Sequence, residues 1–341
     1  MFRTLLVPLD QSRTAEQALI PATQIAQKLN AHLDIVHVHE RASLANLRRG
    51  SWSVEQELSE LRYVEHVAQR IATQVQLETS SAVLDGNIAD AICTRATDID
   101  ADLIVMSSHG HTGLDRTRLG SIADEVMRKS DIPVLMIRRN NERPEANVRT
   151  TSGRALFQRI LVPLDGSLRS LEILAAAVEL ARCNHATLIL LRVVEPVPLL
   201  LEGVGVSAAA IASGVPPFLP SAMQDIDATR ALCAAAQNEL SNTARLLADE
   251  DLAPIESHVV VASYVAAAIV DFVVASGADL VAMSTHGRGA SRWLMGSVTD
   301  KVMAAGSQSM LIARPVRQTK TVSSTTRFAE SERALVGHGA E

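Results

Sequence analysis

The chain has 341 residues, enough for two domains that each bury a core, and 47% of them are apolar while only 3% are aromatic. Its core is therefore aliphatic, and it lacks the aromatic platforms on which nucleic-acid modules stack bases. A net charge of −6 gives no basic footprint for nucleic acid or an anionic membrane. Cys93, Cys183 and Cys233 are odd in number, far apart and set in apolar helical patterns. They form neither a disulfide framework nor a metal knuckle and read as buried thiols of a reducing, cytoplasmic compartment.

Met1-Phe-Arg-Thr-Leu-Leu-Val enters a strand pattern directly, without the sections of a signal peptide. Thr4 to Asp10 is an apolar strand ending in an acid, with Pro8 near its end. Ala15, Ala18, Leu19, Ala22, Ile25, Ala26 and Leu29 then form a helical stripe, Thr14 and Gln17 fit a capping box, and Pro21 must distort the pattern. Leu33 to Val38 is a second strand and Val54 to Gln74 a long second helix. Ala82 to Leu84 closes a third strand before the Asp85-Gly86-Asn87 turn, and a third helix covers Ile88 to Thr97. Leu103 to Met106 is a fourth strand, a helix follows to about Lys129, and Pro133 to Ile137 is a fifth. Strands that alternate with helices predict βαβ units and a parallel sheet.

A polar, aperiodic stretch around residues 141–156 reads as a linker. Then the program restarts: Arg159-Ile-Leu-Val-Pro-Leu-Asp165-Gly-Ser167 echoes Thr4-Leu-Leu-Val-Pro-Leu-Asp10-Gln-Ser12, and Leu171, Leu174, Ala175, Val178 and Ala181 repeat the helical stripe. This is an internal duplication. Asp10 to Asp165 and Val38 to Val193 are each 155 positions apart, whereas Gly110 to Gly287 is 177, so about 22 residues entered the second copy after Val193. The Pro/Gly/Ala-rich stretch near 196–223 is that insertion, either a plain loop or a lid or interaction surface. Its prolines and glycines rule out a membrane-spanning helix. The expected domains are 1–140 and 157–316, with a disordered tail over 317–341.

The stretch Ser107-Ser-His-Gly110-His-Thr-Gly113-Leu-Asp-Arg-Thr-Arg-Leu-Gly120-Ser121 joins the fourth strand to the next helix. Glycines in a strand-to-helix connection let the backbone approach an anion, and the helix start offers unpaired N–H groups. The stretch recurs as Ser284-Thr-His-Gly287-Arg-Gly289-Ala-Ser-Arg-Trp-Leu-Met-Gly296-Ser297.

These features together resemble the universal stress protein (UspA) domain, twice: Val-Pro-Leu-Asp (Val7 to Asp10, Val162 to Asp165), the His-Gly loop leading to Leu-Gly-Ser or Met-Gly-Ser, and Asp124-Glu-Val-Met-Arg-Lys-Ser-Asp-Ile-Pro-Val-Leu-Met-Ile. The resemblance implies an α/β fold of two tandem open parallel five-stranded sheets of order 3-2-1-4-5, with helices on both faces. It also implies an intrachain pseudo-dimer through the fifth strands and further homodimerisation. A ligand would sit where the strand order reverses.

The ATP-binding branch of that family carries Gly-x-x-Gly, nine residues, then Gly-Ser or Gly-Thr. By resemblance Gly110, Gly120, Ser121 and the N–H of Ile122 would hold phosphates, Asp10 would lie near the ribose or a phosphate-bound Mg2+, and the Val38 backbone would meet the adenine. Asp165, Val193, Gly287, Gly296, Ser297 and Val298 match them in the second half. Two departures stand out. Ser107 and Ser284 replace the first glycine, which costs energy if that position needs positive φ and otherwise offers a hydroxyl to phosphate. The second loop has eight residues, Arg288 to Met295, where the first has nine; the first site is thus expected to be the stronger.

Each candidate has a structural reading as well. Ser121 and Ser297 precede Asp124 and Asp300 by three positions, as helix caps do. Asp10 and Asp165 fit as turn caps, and His109 and His286 as structural histidines without a sequence partner. Arg116, Arg118, Arg288 and Arg292 neutralise phosphate or simply lie on the surface. No P-loop, dinucleotide fingerprint, metalloprotease helix or nucleophile elbow occurs. The resulting expectation is an ATP-binding, nucleotide-responsive stress protein with slow ATP hydrolysis at most. The alternatives are an interaction protein that acts through dimer surfaces and the 196–223 insertion, or a slow hydrolase.

Overall fold

The computed structural model describes residues 2–39, 54–108, 120–138, 155–197, 226–248, 252–285 and 296–314. The expected tail, most of the linker and nearly all of the insertion lie outside them. The first half runs β1 (Thr4–Leu9), a 3-10 turn (Ala15–Ala18), α1 (Leu19–Leu29), β2 (His32–His39), α2 (Val54–Val75), β3 (Thr79–Asp85), α3 (Ile88–Asp98), β4 (Leu103–Ser107), α4 (Ser121–Lys129) and β5 (Val134–Ile137). The second repeats it as β6 (Arg159–Pro163), α5 (Leu168–Leu171), α6 (Ile173–Asn184), β7 (Thr187–Val194), α7 (Ile226–Leu247), β8 (Ile255–Val261), α8 (Val265–Ser276), β9 (Leu280–Ser284), α9 (Ser297–Ala305) and β10 (Ser309–Ala313).

The first predicted helix is divided. Thr14 makes no side-chain cap; instead the Ser12 hydroxyl accepts from the Ala15 N–H at 3.0 Å and starts the 3-10 turn. Pro21 falls in the first turn of α1, where a missing N–H leaves no helix bond unmade.

Each half has the expected order, β3-β2-β1-β4-β5 and β8-β7-β6-β9-β10, but the two do not form separate sheets. They make one ten-stranded sheet, parallel within each half and joined by antiparallel pairing of β5 with β10, Leu135 facing Leu311. The fifth strands end each half with an open ladder edge, and each covers the other's.

Strand alternation divides the core into two layers. Leu5, Leu33, Leu103, Ile160, Leu188 and Leu280 face α1, α2, α6 and α7, while Leu6, Val36, Ile104, Leu161, Ile189 and Val281 face α3, α4, α8 and α9. Both layers run unbroken through the two halves.

At the seam two arginines act reciprocally. Arg138, just after β5, donates to the Met303 and Gly306 carbonyls at the end of α9. Arg314, just after β10, donates to the Lys129 carbonyl at the end of α4 at 3.2 Å. Each guanidinium satisfies last-turn carbonyls of the other half's helix, where the helix dipole favours a cation. Arg128 adds a bridge, 2.8 Å from Asp124 and 3.4 Å from Asp300.

Of the three cysteines only Cys183 is buried; Cys93 and Cys233 are partly exposed. Burial pushes the Cys93 and Cys183 thiols up to about 11. The thiolate being the reactive form, their labelling by a thiol reagent should accelerate about tenfold per pH unit between pH 7 and 10, measured by peptide mass spectrometry. Leu311→Ala at the seam, where Leu311 is fully buried, should lower unfolding free energy by about 2–5 kcal/mol in a urea titration.

Candidate functional site

In both halves the first and fourth strands hold together briefly and then part. β1 pairs with β4 only at Leu5–Leu103 and Leu6–Ile104, and β6 with β9 only at Ile160–Leu280 and Leu161–Val281. On the other side β1 and β6 stay paired with β2 and β7 to their ends. The chain leaves to opposite faces on either side of β1 and β6, so a crevice opens at the carboxyl ends of these strands.

In the second half this crevice is a cleft of about 1030 Å³. Its walls come from the ends of β6, β7 and β9, from Leu232, Ala235 and Ala236 on α7, from Val265 and Ile269 on α8, and from the first turn of α9. Asp165, Val193, Ser284, Gly296, Ser297 and Val298, all singled out in the sequence, line it together. Gly287 lies outside the described residues, as do Gly110, His109, His286 and the arginines of both loops. In the first half Asp10, Val38, Ser107, Gly120, Ser121 and Ile122 occupy the matching ends of β1, β2, β4 and α4. The shorter loop thus belongs to the half with this cleft.

The residues that flank the two loops pair in the same way. The Gly120 N–H donates to the Ser108 carbonyl at 2.8 Å and the Gly296 N–H to the Thr285 carbonyl at 2.6 Å. At Gly296 a β-carbon would fall 2.8 Å from the Thr285 carbonyl oxygen, so glycine is required by this approach alone. Gly120 and Gly296, not the serines after them, are the N-caps of α4 and α9, and neither cap receives a side-chain hydrogen bond. The capping reading of Ser121 and Ser297 is thereby corrected: both are first helical residues, and Asp124 and Asp300 turn toward Arg128 at the seam. Burial pushes the Asp300 carboxyl up, opposed by Arg128. Among the described residues no side chain caps the first N–H groups of either helix, and in the second half Gly296 to Asp300 line the cleft.

Ser107 and Ser284 close β4 and β9 and do not adopt positive φ, so serine carries no left-handed strain there. The Ser284 hydroxyl donates to the Arg169 carbonyl at 2.8 Å and thus ties β9 to α5. Asp10 and Asp165 cap turns, accepting from the N–H groups of Ser12 at 3.0 Å and Ser167 at 2.9 Å. The residue between is left-handed in both: Gln11 at φ 66° and Gly166 at φ 81°.

The sequence reading missed the polar side chains beside these positions. Arg192 on β7 is buried in the cleft and paired with Glu239 of α7. Near the matching end of β2, buried Glu60 of α2 lies 2.8 Å from His39 and 3.8 Å from His37, whose Nδ1 is 2.8 Å from the Leu9 carbonyl oxygen. The only signal was an arginine interrupting Leu188-Ile-Leu-Leu-Arg-Val-Val194. Among the described residues no group of three or more His, Cys, Asp or Glu could hold a metal ion, and no helix is long and apolar enough to cross a membrane.

A model of the universal stress protein family matches residues 1–138 and 156–314. The chain is 30% identical over 146 residues to a universal stress protein of Methanocaldococcus jannaschii, covering 41% of this chain and 84% of that protein. It is 31% identical over 150 residues to universal stress protein YxiE of Bacillus subtilis, covering 40% of this chain and 100% of that protein. The fold resembles a solved universal stress protein from Archaeoglobus fulgidus with a TM-score of 0.60 at 16% identity, covering 92% of this chain and 96% of that one. A putative universal stress protein from Pseudomonas aeruginosa gives 0.57 at 18% identity, with 92% and 94% covered.

Relief of the left-handed residue in Gln11→Gly should raise stability by about 1 kcal/mol. Gly296→Ala should lower it by about 1–3 kcal/mol, because its methyl meets a backbone carbonyl. Chemical denaturation of both variants measures the two signs.

Proposed function

The chain belongs to the universal stress protein family, and on that premise we propose that it binds an adenine nucleotide, ATP, at the carboxyl edge of its sheet and acts as a nucleotide-responsive stress protein. The observation that carries this reading is the convergence of Asp165, Val193, Ser284, Gly296, Ser297 and Val298 on one cleft where the strand order reverses. Residues chosen for their place in a sequence pattern, from four separate segments, line a single crevice.

In this reading the phosphates lie against the first turn of α9, where uncapped N–H groups and the helix dipole favour negative charge. The adenine meets the Val193 backbone, with Leu232, Ala235 and Ala236 supplying apolar wall. Asp165 stands on the ribose side. The described residues form no metal cage, so Mg2+ would arrive on the phosphates, with Asp165 and Asp300 among the carboxylates that line the cleft. Gly110, Gly120, Ser121, Ile122, Asp10 and Val38 would act alike in the first half. Asp300, the carboxylate in the first turn of α9, faces Arg128 at 3.4 Å, which suits binding with slow turnover at most. Homodimerisation would need surfaces other than the fifth strands, which already pair within the chain.

The purified chain should release adenine nucleotide on denaturation and chromatography, or bind ATP in a calorimetric titration; failure of both at millimolar ATP would sink the reading. Ser297→Asp combined with Ser121→Asp should weaken ATP binding at least about tenfold while preserving or raising the melting temperature, because an acid in the first turn stabilises a helix yet repels phosphate.

A further inference from the structure

The face of β7 that looks toward α7 ends in a buried guanidinium. Arg192 is 8% exposed, and Nη2 is bound to the carboxylate of Glu239, whose own side chain is 61% exposed. Nη1 is buried with no hydrogen-bond partner among the described residues. Arginine remains charged at any physiological pH, and an unmatched donor on a buried cation is destabilising.

The surrounding chain makes room for it. A β-carbon on Gly166 would collide with both terminal nitrogens of Arg192, so the left-handed glycine clears the space that the guanidinium fills. In the first half the same left-handed position is Gln11, which has a side chain, and the β2 position matching Arg192 is His37, bonded to the Leu9 carbonyl. Arginine and glycine occur together in one half and are both missing from the other.

Four carboxylates line the cleft, Asp165, Glu195, Glu239 and Asp300. Asp165 accepts from the Ser167 N–H, Asp300 faces Arg128, and Glu239 faces Arg192. The uncapped start of α9 adds partial positive charge from the opposite wall. Hydrogen bonds from a guanidinium to an oxyanion are among the strongest a protein makes.

Resting on the nucleotide reading above, we infer that Arg192 is an anion anchor of the second cleft: Nη1 donates to a phosphate or carboxylate oxygen of the bound ligand. The guanidinium lies against Gly166, just past the end of β6, and there holds the phosphates from the side opposite the α9 start while the adenine stays at the Val193 backbone; the first half has no equivalent of it.

The full chain is titrated calorimetrically with ATP, adenosine and inorganic pyrophosphate. A Ser121→Asp background, which disables the first-half site of that reading at the start of α4, assigns the binding that remains to the second cleft. Arg192→Met should weaken ATP and pyrophosphate about 10- to 100-fold there and leave adenosine unchanged, with Arg192→Lys recovering part of the loss. Glu239→Gln, which removes the competing carboxylate, should tighten both anions, and this gain should vanish when Arg192→Met is added, whereas loss of a repelling charge alone would tighten them with or without the arginine.

Equal loss of ATP and adenosine in Arg192→Met, or anion binding indifferent to it, overturns the anchor while the nucleotide reading stands. Pyrophosphate binding that depends on Arg192 in a chain that ignores ATP overturns the nucleotide reading and keeps the anchor. No response to either anion at millimolar concentration overturns both. Melting temperatures within about 2 °C of the parent confirm that each variant folds.

Discussion

Two residue pairs hold β1 to β4, two hold β6 to β9, and the candidate sites lie where those ladders stop. The brevity is geometric. Right-handed crossovers carry the chain to one face of the sheet on one side of the first strand and to the other face on the other side. Among the described residues no helix covers the gap between, so strand ends and the starts of α4 and α9 meet there. The two-layer aliphatic core holds the strand ends in place: Leu5, Leu6, Ile104, Ile160, Leu161 and Leu280 are buried on alternate faces a few residues below the crevice.

Much of this was legible in the sequence because it rests on periodicity and repetition. Apolar runs bounded by turns placed all five strands of the first half, and the recurrence of Val-Pro-Leu-Asp placed the second. The fusion of two sheets into one was less visible as hydrogen bonding, since β5 and β10 read as ordinary buried strands and nothing in an apolar run says which edge it meets. Arg138 and Arg314 were hidden for a related reason: each sits one residue past a strand, where charge reads as the start of a connector. Pro21 looked like a distortion within a helix and proved to lie in its opening turn.

Within the candidate site, pattern located backbone and missed side chains. Gly296 and Ser297 were found because a helix start has a signature, although the cap proved to be the glycine. The serine that replaces the first glycine raised a question of strain that only dihedral angles answer, and at Ser107 and Ser284 they show none. Arg192, Glu239, Glu60 and the two histidines were overlooked because burial is a tertiary property. A charged residue on a strand or an amphipathic helix reads as solvated until the opposing element is seen.

The antiparallel seam has an evolutionary consequence. In a dimer of identical chains every substitution appears in both crevices, so a change that favours one ligand is imposed on both. Here the joined strands β5 and β10 come from one polypeptide, with the two-fold arrangement retained and the identity of its halves given up. Each crevice is free to drift alone, and they have done so: a glycine with a buried arginine on one side, a glutamine with a histidine on the other. Covalent linkage has turned symmetry from a requirement into a scaffold, on which a single molecule keeps two differently built crevices at a fixed distance and in fixed proportion.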